Sequence, residues 1–581
     1  MAPTTLCSTT GEIGKAGVVS IEEIKAFELA LDREMQSRDI FKMSATSVLR
    51  NIFGMISVLD SQGAESNALA ATLRRGLDVA LPILIKGGGS GGEVDFGKVV
   101  DDLTFLSHYY LIREYLYYSY NSPDSFSWSF EGNHVVIEFS DPSIPRQFSQ
   151  GWNTELLDLI EVHRQGVGKS EIEGLLRGKE EFGDGEHLSK AFESTLAEAK
   201  VRARLKFDLL DTVGADISLK GYTYESFRQV YEYLLAKAIY HRHFARANST
   251  WPVFQFPKEE LIGELAVGTG LVEPDIRAIL GDLAYSPGAR REPMYFSIVD
   301  HPGLSEFLMT VESVINDDIP AHLLRVQAGR DPNWFLSRIS NPLGDQFVDR
   351  LASLFESIGF LVQKNVPLAS IDPKAPDVDL LVVSREETLG YFVFAIEAKA
   401  TLPAYWAKDY LRALNKGGLS KAFDQVASVD KVLRSERGSQ LLIERVLAMD
   451  PEPLANGQIV VKSLIVTSQN SGMFFEQQGS KVSIIDHRTL GQLLRASDGD
   501  VVYIGKMLQS VRESRNPKVA KMEVEVEGLL VTYDVVAGSD PMFFPLNEWK
   551  STGMDVEVTR SFFEGGGSRQ NPFEVSRNAD S

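Results

Sequence analysis

Cysteine is almost absent from this chain: Cys7, close to the N-terminus, is the only one. No intrachain disulfide and no thiolate zinc site can therefore form, a pattern that fits a reducing cytoplasm, and cytoplasmic localisation is expected. Long apolar runs are also missing. No uninterrupted stretch reaches the roughly 18 residues of a membrane span, so no membrane association is expected. The opening segment MAPTTLCSTTGEIGKAGVVS has neither the basic start nor the apolar core of a secretory signal. A phosphate-binding G-x-x-x-x-G-K-[ST] loop is lacking; TTGEIGKAG comes nearest without the spacing, so the sequence gives no sign of a motor or helicase. No methyltransferase signature is visible. Positive charge is scarce, with 59 Lys and Arg against 80 Asp and Glu and a net charge of -21. Nucleic acid cannot coat such a surface, although a local basic groove is still compatible with a nucleic-acid substrate.

What is present is the composition of an ordinary globular protein, 44% apolar and 24% charged over 581 residues. Such a length exceeds one hydrophobic core and suggests roughly three or four domains. Residues 1–86 read as an N-terminal helical region, with IEEIKAFELALDREMQ and ALAATLRRGLDVALPILI at helical apolar spacing. Residues 87–93 are a Gly-rich linker or loop, natural or engineered. Residues 94–250 read as a helical region with a small β-hairpin. It holds the aromatic helix LTFLSHYYLIREYLYYSY, whose stripe of Phe105, Tyr109, Leu116 and Tyr120 suits core packing better than base stacking. The hairpin strands SFSWSF and HVVIEF follow it. A later helix ends in His241, Arg242, His243 and Arg246, which suits a helix C-terminus through its dipole and, less readily, a phosphate contact.

Residues 251–335 read as a helix-turn-helix-like or winged-helix-like region, from two short helices in KEELIGELAVGTGLVEPDIRAILGDL. Residues 336–515 carry the chemistry, and residues 516–581 a C-terminal β extension and a loose tail. The expected architecture is thus multidomain, mostly α-helical in the N-terminal and middle regions, with a C-terminal α/β domain around a mixed central sheet.

Within 336–515, NPLGDQFVDRLASLFESIGF is an amphipathic helix stopped at Gly359, and LVQKNVPL is a strand. APDVDLLVV and YFVFAIEAKA follow as buried strands. Alternation along the second strand puts Phe392, Phe394, Ile396 and Ala398 on one face and Val393, Ala395, Glu397 and Lys399 on the other. Asp379 opens the adjacent strand. Two carboxylates suit a hard divalent cation and a nearby ammonium suits an attacked phosphate, so Asp379, Glu397 and Lys399 point to phosphodiester hydrolysis. The Ala398 carbonyl is a further candidate ligand. From Lys399 to Arg437, eight basic residues against four acidic ones leave a local surplus of about +4. Lys408, Arg412, Lys416 and Lys421 in this stretch are candidate nucleic-acid contacts, and Tyr405 and Trp406 suit base stacking and core packing equally.

Asp…Glu-x-Lys in this setting resembles the signature of the PD-(D/E)XK nucleases. The upstream helix ending in IGF, the strand spacing, Gln425 in KAFDQVASVDKVL, and the closing SLIVTSQNSGMFF and VSIIDHRTLGQLLRA are similar to Mrr-type restriction endonucleases. The resemblance covers residues 340 to 495 or so. It implies a restriction-endonuclease-like domain, Gln425 as a fourth catalytic residue, Mg2+ or Mn2+ as cofactor, and DNA as substrate. By similarity to Mrr-type and Shedu-like anti-phage nucleases it also implies a homo-oligomer with a sensing N-terminal part and a phage-derived or other protein trigger. The chain departs from the pattern where Val348 follows Phe347 in place of a Glu, leaving Asp345 or Asp349 as accessory carboxylates. Asp377 competes with Asp379 for the metal-binding role. A repair or recombination nuclease, or an inactive nucleic-acid-binding module of nuclease fold, are the alternatives.

Overall fold

The computed structural model describes residues 19–538 apart from 63, 88–90, 92–93, 149–168, 179–185, 208–217, 220, 290, 388, 403–405, 416–417, 455–457, 469–481 and 514–516. Cys7, most of the Gly-rich run and the C-terminal tail lie outside the described residues.

Four helices open the fold: α1 (Ile21–Ser37), α2 (Ala45–Ser61), α3 (Ala64–Ile85) and α4 (Phe96–Asn121). Ser20 and Glu23 form a reciprocal capping box that starts α1. Phe105 and Leu116 of the aromatic helix α4 are buried, so this stripe is core. Strands β1 (Phe126–Glu131) and β2 (His134–Phe139) form the expected hairpin.

This hairpin and the C-terminal strands, separate in the sequence reading, share a sheet. The C-terminal strands β12 (Lys518–Val526) and β13 (Leu529–Gly538) turn at Glu527 and Gly528, both with positive φ, the geometry of a two-residue hairpin. β13 then pairs in parallel with β2, through Val531↔Val135 and Tyr533↔Ile137. An isolated hairpin is marginally stable, and four strands over a helical layer bury the apolar faces of both. Tyr533 packs edge-on against Tyr115 and His108 of α4 inside this core.

Helices α5 (Glu186–Phe207) and α6 (Tyr224–Asn248) pack together in the middle of the chain. His241, Arg242 and His243 of α6 are buried, while Arg246 stays exposed in the last turn, where the helix dipole favours a cation. Arg242 lies 3.6 Å from Glu198 and 3.8 Å from Glu312, and His243 lies 3.3 Å from Glu173. A buried guanidinium needs such partners.

Strand β3 (Gln255–Pro257), helices α7 (Lys258–Thr269) and α8 (Glu273–Leu283), and short strands β4 (Ala284–Tyr285), β5 (Ile298–Val299) and β6 (Glu306–Leu308) come next. β6 lies between β3 and β5, so the strand before the helix pair and the strands after it share one small sheet. α8 turns Ile276, Ile279 and Leu280 inward. Its exposed Arg277 is neutralised by Glu259 at 2.5 Å and Glu273 at 3.3 Å, so α8 offers no cationic face to DNA. Helix α9 (Ile319–Arg330) then leads toward the C-terminal unit.

That unit begins with α10 (Asn341–Glu356), followed by β7 (Leu361–Val366), β8 (Val378–Glu386) and β9 (Gly390–Lys399). Helices α11 (Ala407–Asn415), α12 (Leu419–Leu433) and α13 (Glu436–Met449) lead to β10 (Ile459–Thr467), β11 (Ser483–Asp486) and α14 (His487–Ser497). The five strands run β11-β10-β9-β8-β7 across the sheet. The β7–β8 and β8–β9 pairs are antiparallel, and β9–β10 and β10–β11 are parallel, which makes the sheet mixed.

One face of the sheet packs Phe392, Phe394 and Ile396 against Phe347, Leu351 and Phe355 of α10 and Leu493 of α14. The opposite face packs Val393 and Ala395 against Val429 and Val432 of α12. The strands are covered on both sides, which explains why they read as continuous apolar runs.

Candidate active site

Strand alternation and antiparallel register bring the acidic pair together. Leu380 pairs with Ile396, so one step along, Asp379 of β8 comes beside Glu397 of β9. Side chains at odd positions of β9 turn to the α12 face, and Glu397 and Lys399 share it with Gln425 of α12. Lys399 Nζ donates to Glu397 Oε1 and, at 3.0 Å, to Gln425 Oε1. Asp379 Oδ2 accepts the backbone N–H of Ala398 at 2.8 Å, which fixes its rotamer and points the Ala398 peptide along the site. Asp379, Glu397, Lys399 and Gln425 therefore form one connected constellation where β8 begins and β9 ends.

Glu397 keeps only 3% of its surface. Burial pushes its carboxyl up to about 7; the neighbouring Asp379 adds to the rise, while Lys399 and Lys421 oppose it. Burial also raises Asp379, against the Ala398 amide and Lys399, with Asp377 adding to the rise. Two adjacent, poorly solvated carboxylates are costly when both are ionised, and one ammonium offsets only part of that cost. A hard divalent cation fits such a donor set: carboxylates of Asp379 and Glu397 with the Ala398 carbonyl, water supplying the rest. Among the described residues no group of three or more His, Cys, Asp or Glu is placed to hold a metal, so any ion here would depend on two carboxylates and main-chain oxygen.

The accessory carboxylates stand apart. Asp349 is exposed and paired with Lys364 of β7 at 2.5 Å, and Asp345 is exposed on α10. Asp377 Oδ1 accepts the Leu368 N–H at 3.4 Å, a turn contact before β8. None of the three bonds to Glu397 or Lys399 among the described residues. The first helix lies on the sheet face away from Glu397, which is why its acids do not reach the constellation.

Of the candidate nucleic-acid contacts, Lys421 is exposed at the start of α12, one helical turn before Gln425 and within electrostatic reach of Glu397. Lys408 lies over the Trp406 ring at 5.3 Å, on a helix whose Ala407 and Leu411 enter the N-terminal core. Lys416, Tyr405 and the side chain of Arg412 fall outside the described residues. Trp406 stacks on Tyr117 of α4 with ring centroids 6.3 Å apart, so it serves packing between the two halves of the chain.

Two features of the site carried no sequence signal. Ser468, just past β10, donates its N–H to the Lys399 carbonyl at 2.9 Å, and its hydroxyl bridges Thr401 at 2.8 and 2.9 Å. It thereby clamps the exit of β9. The segment after that exit is anchored far away: Ala407 N–H donates to buried Glu114 of α4, Tyr295 donates to Asp409, and Arg325 of α9 lies 3.5 Å from Asp409. Burial raises Glu114 to about 8 even though the Ala407 N–H pulls the other way.

No helix among the described residues is long and apolar enough to cross a membrane. Comparison with known protein families, with curated proteins and with solved structures finds nothing that matches this chain.

Proposed function

We propose that this chain is a divalent-metal-dependent endonuclease of the PD-(D/E)XK type that hydrolyses DNA. One observation carries the reading: Asp379, Glu397, Lys399 and Gln425, scattered over three elements, converge on one sheet face and are joined by hydrogen bonds. A bound Mg2+ or Mn2+ supplies Lewis-acid polarisation of the phosphate and a more acidic water. Asp379 and Glu397 would hold it with the Ala398 carbonyl, and its charge would keep Glu397 ionised. Lys399, fixed from two sides by Glu397 and Gln425, is the group that orients the attacking water and offsets charge developing on the phosphate. Lys421 supplies positive potential for the backbone entering the site. A role in restriction or anti-phage defence, a homo-oligomeric state and a protein trigger rest on the family resemblance alone.

An inactive binding module is disfavoured, since nothing in nucleic-acid binding alone calls for a buried carboxylate beside a half-buried one. The test is incubation of the purified protein with supercoiled plasmid, linear duplex, single-stranded DNA and RNA, in magnesium and in manganese. Cleavage of DNA that disappears in Asp379→Asn is the expected result. Cleavage undiminished by that substitution, or none with any substrate and metal, would overturn the proposal.

A further inference from the structure

A second site lies away from the sheet, where the turn after β4 meets helix α9. A cavity of about 400 Å³ opens there, lined by the guanidinium-bearing Arg291 and Arg330, by the apolar Phe296 and Val326, and by Gly281 and Gly288. That volume is in the range of small-molecule sites, roughly 300 to 1,000 Å³.

The two arginines differ in how they are held. Arg330 pairs with buried Asp282, which also accepts from Tyr222 and Gln327 at 2.6 Å each. That network fixes the guanidinium at the cavity wall while leaving some of its five donors unused. Arg291 has no hydrogen bond or ion pair among the described residues, and its Nε is a buried donor with no partner. It lies flat on the α9 backbone at Gly329, where an added Cβ would come within 2.2 Å of Nε. The close approach is possible only because residue 329 lacks a side chain.

A buried donor without a partner costs about 1 to 3 kcal/mol, more when charged, and here it stands beside a cavity from which a water, an ion or a ligand can complete it. Two guanidiniums lining one cavity suit a doubly charged phosphate. Phe296 and Val326 offer the flat apolar surface on which a ring can rest.

We propose that this cavity binds a small phosphomonoester of mononucleotide size, with the phosphate on Arg291 and Arg330 and the ring against Phe296 and Val326. The inference is independent of the nuclease reading and is tested by binding alone. Full-length protein carrying Asp379→Asn, so that no cleavage intervenes, is titrated calorimetrically with AMP, UMP, inorganic phosphate and adenosine. The nucleotides should bind, and adenosine, lacking the phosphate, should not. Arg291→Ala removes an unpaired side chain, so its melting temperature should hold while nucleotide binding weakens about tenfold or more, the size of one charge-assisted hydrogen bond. Gly329→Ala should weaken binding as well, by displacing Arg291. Failure of both nucleotides to bind, binding of adenosine as tight as that of AMP, or an Arg291→Ala protein that binds like its parent would each overturn the proposal.

Discussion

Replacing Glu397 by glutamine removes one charge from the candidate site while keeping an oxygen that can accept from Lys399. Its carboxyl in the folded protein is raised from the ordinary 4.5 to about 7. A carboxyl raised on folding favours the folded state while protonated, so its contribution is fully present below about 4.5 and is lost as pH rises through about 7. At about 1.4 kcal/mol per pH unit, that interval amounts to about 3 kcal/mol. The attraction of Lys399 already opposes the rise, so this is the cost that remains after the ion pair forms. In the absence of metal, Glu397→Gln should therefore stabilise the C-terminal unit by about 3 kcal/mol near pH 9 and by much less near pH 5. Asp78, raised to about 7, and Glu114, raised to about 8, also titrate in this range, but they are common to both proteins and cancel in the difference. A chain this long need not unfold in one step. The readout is therefore the opening free energy of amides in Gly390–Lys399 by hydrogen exchange, in chelator, at the two pH values. Magnesium should then protect the parent strongly at high pH and the glutamine variant little. A variant no more protected than its parent near pH 9, or a gain equal at both pH values, would refute the electrostatic account of this pair.

Lys399→Ala should lose about 100-fold or more in cleavage rate yet still bind magnesium by calorimetry, because the ammonium acts on water and phosphate and is no ligand; Lys399→Arg should not rescue, since a planar fork cannot replace a compact ammonium. Asp377→Asn should cleave at the parental rate, since Asp377 holds only the Leu368 N–H, and a dead Asp377→Asn beside an active Asp379→Asn would reverse the two roles. Lys421→Glu in the Asp379→Asn background should lower the slope of log binding constant against log salt by about 1 or more, measured by anisotropy on duplex DNA; an unchanged slope would put the groove elsewhere.

Much of the candidate site was legible because strand geometry is local. A period of two puts Glu397 and Lys399 on one face whatever surrounds them, and the apolar runs after Asp379 and before Glu397 mark strands that must lie inside a sheet. Gln425 entered the sequence reading only through the family resemblance. Which of Asp377 and Asp379 lies opposite Glu397 is a matter of register, which the apolar pattern sets: Leu380 opposite Ile396 leaves Asp379, and not Asp377, beside Glu397.

Contacts between distant segments carry no local signal, and tertiary structure alone decided them. The run His241, Arg242, His243 has the composition of a solvated helix end, yet Glu198 and Glu312 reach it from other helices and make it interior. The C-terminal hairpin reads as a separate extension until β13 pairs with β2, since backbone hydrogen bonding at a strand edge is indifferent to side-chain identity. Trp406, equally suited by sequence to a base or a core, meets Tyr117 because Glu114 and Arg325 hold the segment after β9 against α4 and α9. Periodicity thus determined which residues face one another within an element and across neighbouring strands, while burial, and with it the pKa of Glu397, depended on what the rest of the chain brought over that face.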